Sequence, residues 1–370
     1  MLFVILFLAL IHTTSSLVNT GFKDGKNVTL SNIKLPNDLD GNKMLTGELS
    51  VMAWNGSYYF YTNVWGDCPG INCCESEKGC ASCCFDDLPP NQTGCSPYLD
   101  GHYIQAYKTD DFVNWENLGQ ALPLAARQPG VEFRPCVIYN KKNNNFVMWY
   151  EDRNSGGNGY SVATSPTPQG PFTTIANNVG LPGHGRTADY NIFIDQDDSA
   201  YHVRTGFDIV RLDDSYTGPD VHIASFTTPK PAEGPTMFKR NSWYYITAGT
   251  GCCACIGGSN IFVFASQNVS GPYVYYGDVG SVPGHVFDAH SPDNYVTKAQ
   301  GSAVITVGPE YEKLYIGNQW NSGLSETPVG NRSHDLLYFA VFEFDDEHSN
   351  SSYPPVIKQL EYQEQTTILV

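Results

Sequence analysis

The chain has 370 residues, 41% of them hydrophobic and only 16% charged, which is enough to bury a large core. Its 35 glycines and 23 prolines require many connections and exclude long helices, so the composition predicts an all-β fold. The formal charge of −17, with no basic run, argues against nucleic acid and anionic membranes as partners.

The chain begins with a short apolar run over residues 2–11, followed by His-Thr-Thr-Ser-Ser. This run is too short to span a bilayer and lies where a secretory signal is found. We therefore predict a signal peptide over residues 1–16 and a secreted mature chain over 17–370, which we expect to be a single domain and a monomer. No second apolar segment is long enough for a membrane anchor.

An aromatic-rich core recurs five times, and each copy begins with turn-forming residues and continues as an apolar or aromatic strand. Units that cannot bury a face alone must stack on their neighbours, and recurrence at roughly 40–50 residues is typical of a β-propeller. The sequence therefore predicts a propeller of five blades. The copies are NGSYYFYTN (55–63), NNNFVMWYED (143–152), DDSAYHVRT (197–205), RNSWYYITAG (240–249) and YEKLYIGNQW (311–320).

Eleven cysteines in an exported chain predict disulfides rather than a metal site. Seven of them lie between Cys68 and Cys95, which predicts a disulfide-rich insertion over residues 68–95, after the first blade. Cys136 stands alone in the apolar segment RPCVIYN, which favours a buried and inert thiol. Six N-x-S/T triplets, beginning with Asn27, are consistent with a glycoprotein.

Four polar residues stand at the start of segments that resemble the first strand of a blade: Glu48, Asp189, Glu233 and Gln300. A lone carboxylate in such a place is usually a turn cap, but the first strands of a propeller line its axis. The repeat therefore predicts that these four side chains face one central pocket. We expect no cofactor and no metal, because the histidines form no ligand set and no ligand run supports an axial calcium.

The order of motifs over residues 45–345 resembles glycoside hydrolase family 43, in particular its exo-β-1,3-galactanase subgroup. The resemblance implies a five-bladed propeller that hydrolyses the glycosidic bonds of a polysaccharide or oligosaccharide with inversion. It rests on the segments YKTDDFVNWENLG, FRPCVIYNKKNNNFVMWYEDRN, ADYNIFIDQDDSAYHV, EGPTMFKRNSWYYITAGTGC and QGSAVITVG…YIGNQWNSG.

In that pattern Glu233 takes the place of the general acid, and Asp189 that of the carboxylate that orients the sugar and raises the acid's pKa. A nearby like charge and partial burial would keep Glu233 protonated near neutral pH. The group that activates water is left open between Glu48, a carboxylate, and Gln300, an amide that can act only by orienting the water or through its imidic tautomer. Inversion needs about 6.5–9.5 Å between the two catalytic groups.

We predict that Arg134 contacts the substrate. Tyr190, Trp65 and Trp320 are candidate sugar platforms from their positions near strand ends, and the NQW segment of Trp320 also resembles the family's sugar-side segment. The chain departs from the galactanase pattern at Phe133, where that pattern has a glutamate directly before Arg-Pro. Two alternatives to the enzyme follow. The first is a glycan-binding propeller that has lost catalysis. The second is an extracellular adhesion module, which would have no use for an acid pair on its axis.

Overall fold

The computed structural model describes residues 25–64, 103–127, 131–154, 157–184, 187–229, 231–249, 259–284, 292–297, 299–308, 312–319, 336–347, 349–350 and 352–370. The predicted signal peptide and the cysteine-rich insertion lie outside these ranges, so neither prediction is tested. No helix in the described ranges is long and apolar enough to cross a membrane.

The described chain opens with β1 (Asn27–Ser31) and continues as antiparallel sheets in which each strand pairs with the next. Blade 1 has β2 (Leu49–Trp54), β3 (Ser57–Val64), β4 (Tyr103–Thr109) and β5 (Glu116–Leu122). Blade 2 has β6 (Val131–Asn140), β7 (Asn145–Asn154), β8 (Gly157–Ser165) and β9 (Thr173–Val179). Blade 3 has β10 (Tyr190–Ile194), β11 (Ala200–Arg204), β12 (Asp208–Leu212) and β13 (Pro219–Ser225).

Blade 4 has β14 (Glu233–Arg240), β15 (Trp243–Gly249), β16 (Phe262–Ser266) and β17 (Val274–Asp278). Blade 5 has three strands, β18 (Gln300–Val307), β19 (Glu312–Gln319) and β20 (Leu336–Phe342). The chain ends with β21 (Phe344–Asp345), β22 (Val356–Ile357) and β23 (Gln365–Leu369). Two single 3₁₀ turns, Leu124–Ala126 and Pro292–Asn294, complete the regular structure of the described residues.

The blades form a closed ring. Consecutive first strands contact one another, and β18 of the last blade contacts β2 of the first. A separate buried apolar cluster fills each junction between neighbouring blades, for example Trp149 and Tyr160 of blade 2 against Tyr190 of blade 3. Each blade thus buries both faces only by stacking on two others, and the predicted five-bladed all-β propeller is confirmed.

The five repeated sequence cores occupy equivalent places, because each supplies the second strand of a blade: β3, β7, β11, β15 or β19. In the first copy Asn55 and Gly56 both have a positive φ, at 48° and 82°, and join β2 to β3 as a two-residue turn. Asn-Gly is the preferred sequence for such a hairpin turn. The aromatic residues that follow the turn are buried between blades.

Cys136 lies on β6 with 5% of its surface exposed, and its thiol is free. Burial among apolar residues raises the pKa of the Cys136 thiol to about 12. The prediction of a buried, unbridged thiol is confirmed, and its inertness stays a prediction.

The ends of the described chain pair with each other beside blade 5, where β1 and β23 form a two-stranded antiparallel sheet. Fully buried Asn32 joins this sheet to β20: its Nδ2 donates to the carbonyl oxygens of Phe339, at 3.0 Å, and Gln363, at 2.9 Å. The Phe339 N–H donates back to Asn32 Oδ1 at 2.8 Å. One amide side chain thus connects both ends of the chain to the blade that closes the ring.

Three first strands carry a β-bulge near their beginning. The register shifts fall between Phe133 and Cys136 in β6, between Glu233 and Thr236 in β14, and between Gly301 and Ala303 in β18. A bulge places two residues opposite one and so redirects the side chains beside it. All three bulges lie at the end of the first strands where the predicted site residues stand.

We predict that Asn32→Ala lowers the free energy of unfolding by about 2–4 kcal/mol, because it leaves buried backbone groups of β20 and of the C-terminal segment without partners. Chemical denaturation followed by tryptophan fluorescence measures the change. Thr29→Ala is the matched control on the exposed side of β1, and we expect it to stay within about 0.5 kcal/mol of the parent. Equal stabilities of the two variants would contradict the role given to Asn32.

Candidate active site

The four predicted polar residues stand at the same end of four first strands. Glu233 and Gln300 are the first residues of β14 and β18, and Glu48 and Asp189 directly precede β2 and β10. Because the first strands surround the axis, their equivalent ends converge. Blades 1, 3, 4 and 5 thus each contribute one polar side chain to the same end of the ring.

Arg134 of blade 2 connects these side chains. Its Nε lies 2.7 Å from Asp189 Oδ1 and 3.6 Å from Glu48 Oε1. Its Nη2 donates to Gln300 Oε1 at 2.7 Å and its Nη1 to the Gly301 carbonyl oxygen at 3.0 Å. Only 4% of Arg134 is exposed, and these contacts are with protein groups, so its contact with substrate stays a prediction. Arg134 thus joins side chains of blades 1, 3 and 5 at the site.

The Gln300 amide has a defined orientation. Its oxygen accepts from Arg134, which has donors only, and its Nε2 therefore faces the carboxylates and lies 3.3 Å from Asp189 Oδ2. A side-chain hydrogen bond also joins Gln300 to Glu233. Gln300 is 5% exposed, whereas the Asp189 side chain is 16% exposed and Glu233 is half-buried. Glu233 and Asp189 therefore form the more accessible edge of the site.

Glu233 is an unusual carboxylic acid. Burial and the neighbouring carboxylate of Asp189 raise the pKa of Glu233 to about 7, and Glu151 acts in the same direction. The charge of Arg134 and the hydrogen bond with Gln300 oppose this rise without cancelling it. A carboxyl group with such a pKa can donate a proton near neutral pH.

Arg134 remains a cation, although burial acts to lower the pKa of its guanidinium. Asp189, Glu48, Glu233 and Glu151, in that order, raise the pKa of Arg134 more strongly than burial lowers it. One cation thus lies among four carboxyl groups.

The backbone around Asp189 is held on both sides. The Thr205 N–H and Oγ1 donate to the Asp189 carbonyl oxygen at 2.8 and 3.1 Å. The Tyr160 hydroxyl donates to the Ala188 carbonyl oxygen at 2.7 Å and accepts from the Ala188 N–H at 3.2 Å. These contacts fix the segment that precedes β10 and therefore the direction of the Asp189 carboxylate.

Gly234 is required by the bulge that follows Glu233. Its φ is +61°, a value that favours glycine, and a Cβ there would lie 3.2 Å from both Gln300 Cγ and the Gly301 carbonyl oxygen. Arg134 also has a positive φ, at 46°. The backbone conformation of both bulges is therefore adapted to the close approach of blades 2, 4 and 5 at this site.

Three aromatic residues, Tyr190, Trp65 and Trp320, were predicted to contact sugar. Tyr190 is 3% exposed, and its ring stacks on His202 with centroids 4.5 Å apart and planes 7° apart. The Tyr190 side chain packs between blades 2 and 3, and its contact with sugar stays a prediction. Trp65 and Trp320 lie outside the described residues.

Sequence reasoning missed Glu151, a residue on β7 with 1% exposure that acts electrostatically on Glu233 and Arg134. The signal was present, because the apolar second strand FVMWY ends in two acids, Glu151 and Asp152. The second strands were interpreted only as elements that pack between blades, so their terminal acids were not included among the candidate site residues. Within the described part of the chain, no group of three or more His, Cys, Asp or Glu residues could hold a metal ion.

The profile of the family described as "Glycosyl hydrolases family 43" matches residues 94–327, which is more than half of the chain. A search of curated protein sequences finds no significant match. Similar solved structures include an exo-β-1,3-galactanase from Clostridium thermocellum, at 20% identity and a TM-score of 0.64, covering 87% of this chain and 64% of that protein.

An exo-β-1,3-galactanase from Phanerochaete chrysosporium, solved with β-1,3-galactotriose, is 21% identical with a TM-score of 0.64, over 92% of this chain and 70% of that one. A family 43 β-1,3-galactosidase is 21% identical with a TM-score of 0.66, over 92% of this chain and 64% of that one. This chain thus spans less than two thirds of the Clostridium thermocellum protein and of the galactosidase. At these identities the likeness concerns the fold, whereas the match to the family profile concerns the sequence. The chain therefore belongs to glycosyl hydrolases family 43.

Proposed function

We propose that this protein hydrolyses β-1,3-linked galactan or a closely related galactose-containing glycan, with inversion and with Glu233 as the general acid. The observation that carries the proposal is the half-buried Glu233 carboxyl, with its pKa raised to about 7, beside the ion pair of Asp189 and Arg134. The galactan substrate is supported by the structures of similar fold that are described as exo-β-1,3-galactanases and a β-1,3-galactosidase.

Glu233 donates its proton to the glycosidic oxygen as the bond to the leaving sugar breaks. Its partial burial and the Asp189 carboxylate keep the proton on Glu233 until that step. Asp189 itself is held by the guanidinium of Arg134 at 2.7 Å. The acid and the group that tunes it thus come from neighbouring blades 4 and 3.

Glu48 is the group that we assign to the attacking water. In a five-membered ring, blade 1 lies across the axis from blade 4, whereas blade 5 is the direct neighbour of blade 4. Gln300 of blade 5 is already hydrogen-bonded to Glu233 and therefore lies on the side of the acid. Inversion requires a base on the opposite face of the sugar, and Glu48 Oε1 lies 3.6 Å from Arg134 Nε.

We predict that Glu233→Gln lowers kcat on β-1,3-galactan by at least about 10³-fold, because an amide cannot donate the proton. On an aryl galactoside with a very acidic leaving phenol the loss is smaller, since that oxygen needs no protonation. Reducing-sugar release and phenol absorbance measure the two rates.

Glu116→Gln is the matched control for Glu233→Gln, because Glu116 is an exposed residue on the outer strand β5 paired with Lys108. We expect it to keep the parent rate. The first sugar released is the α-anomer by proton NMR if inversion is correct, and early accumulation of the β-anomer would contradict inversion. Parent and Glu233→Gln that bind galactan but are equally inert would instead support the glycan-binding alternative.

We predict an alkaline limb near pH 7 in the profile of kcat/KM, because activity requires protonated Glu233 and is lost as pH rises through its pKa of about 7. Asp189→Asn removes the negative charge that raises this pKa, so the limb moves to lower pH. Profiles of both proteins on the same galactoside measure the shift. A limb that stays in place or moves to higher pH in Asp189→Asn would contradict the tuning role.

We predict that Glu48→Gln lowers kcat by about 10²–10⁴-fold on all substrates, including those with acidic leaving groups, because deprotonation of water is needed in every case. Gln300→Asn is the comparison variant, and we expect it to act mainly through the orientation of Asp189 and Glu233. The assignment of water to Glu48 is wrong if Glu48→Gln keeps most of its activity while Gln300→Asn loses it.

A further inference from the structure

His202 is a buried histidine in the second strand of blade 3 that the proposed chemistry does not use. It is 0% exposed, and neither ring nitrogen has a hydrogen-bond partner among the other described residues. A buried polar atom without a partner costs free energy. Histidine has two such atoms here, whereas phenylalanine would offer a ring of similar size with none. The histidine at this position therefore has a cost that packing alone does not explain.

Three aromatic rings surround the His202 ring. Tyr190 of β10 stacks on it, with centroids 4.5 Å apart and planes 7° apart. Tyr160 of β8 and Trp149 of β7 meet it edge to face, with centroids at 4.8 and 5.5 Å. These three rings belong to the apolar cluster between blades 2 and 3. His202 thus lies at the junction of these two blades and contacts rings from both.

Two of the three rings hold the chain on either side of Asp189. Tyr190 is the residue that follows Asp189. The Tyr160 hydroxyl donates to the carbonyl oxygen of Ala188, the residue before Asp189, at 2.7 Å and accepts from its N–H at 3.2 Å. Any movement of the His202 ring therefore acts on Asp189 from both directions along the chain.

The surroundings of His202 favour its neutral form. Burial and the Arg204 guanidinium lower the pKa of His202 well below its usual value, and a contact with its own backbone opposes this fall without cancelling it. A proton on His202 would thus be a buried charge without compensation. The charged and titratable groups nearby are Tyr160 of β8, Tyr190 of β10, Arg204 of β11, its ion-pair partner Asp208 of β12, and Glu151 of β7, which acts on both tyrosines.

We propose that His202 is a positioning residue for Asp189 that acts only as the neutral imidazole, so that proton uptake in acid opens the junction between blades 2 and 3. The folded chain keeps the ring neutral, whereas the opened chain binds a proton at the ordinary pKa of histidine, about 6.5. The junction is therefore stable above about pH 6.5 and loses stability as pH falls below that value. The consequence for catalysis rests on the proposed role of Asp189, and the proton uptake does not.

The test compares urea unfolding of the parent, His202→Phe and His184→Gln across this pH range, followed by tryptophan fluorescence. Because the opened parent binds one proton more than the folded parent, its unfolding constant rises relative to that of His202→Phe by about tenfold per pH unit below about 6.5. His184 is exposed in the segment before Asp189, and we expect His184→Gln to keep the pH dependence of the parent. A ratio of parent to His202→Phe that does not change with pH overturns the proposal.

Hydrogen exchange of the parent decides the matter if His202→Phe does not fold. After correction for the intrinsic effect of pH, we expect the opening constant of the amides of β10 and β11 to rise by about tenfold per pH unit below about 6.5. Opening that does not depend on pH contradicts the proposal.

Activity on galactan tests the link to Asp189 separately. We expect the acid limb of kcat/KM to extend to lower pH in His202→Phe than in the parent, because the phenyl ring cannot take up a proton. A purely structural role would lower the amount of folded protein at every pH without moving the limb, so coinciding limbs overturn the positioning of Asp189. If the parent cleaves no galactan but the unfolding ratio changes with pH, the proposed function is wrong and the proton uptake by His202 stands.

Discussion

One buried guanidinium holds the candidate active site together. Arg134 contacts Asp189 of blade 3, Gln300 and Gly301 of blade 5 and Glu48 of blade 1, and it interacts electrostatically with the acid Glu233 of blade 4. Four carboxyl groups around one cation cannot all be ionised at low cost, because like charges repel strongly in a partly buried site. The group with the weakest compensation keeps its proton, and Glu233 is that group. The fork of donors on an arginine suits this role, whereas a lysine would offer a single point of charge.

The propeller makes this arrangement possible because it is a closed ring. Equivalent strand ends converge on the axis, and the bulges in β6, β14 and β18 redirect the side chains at those ends. The ring must stay closed for the side chains of blades 1 and 5 to meet, and β1 pairs with β23 beside β20 at that junction. The site therefore assembles only when the ring of blades is closed. Residues far from the chemistry, such as Asn32, serve it by joining the chain ends to blade 5.

The repeated cores were sufficient to predict the five blades, because each blade buries its aromatic second strand against its neighbours. Equivalent positions in the repeat also indicated which polar side chains meet. The sequence could not predict that Arg134 contacts residues of three other blades, since a bulge and a positive φ at a non-glycine residue have no clear sequence signature. Tyr190 was assigned to sugar from its position near a strand end, and the sequence could not show that its ring packs against Tyr160 of blade 2. Glu151 was missed because it belongs to a strand that otherwise packs.

The glutamate that the galactanase pattern places before Arg-Pro is Phe133 in this chain, and the backbone of Phe133 pairs with that of Glu151 across β6 and β7. The same register pairs Glu132 with Asp152, so two acids stand at paired positions in this sheet. The carboxyl groups that raise the pKa of Arg134 are those of Asp189, Glu48, Glu233 and Glu151, in that order. The excess of carboxyl groups over cations that keeps Glu233 protonated is therefore present in this chain without an acid at position 133.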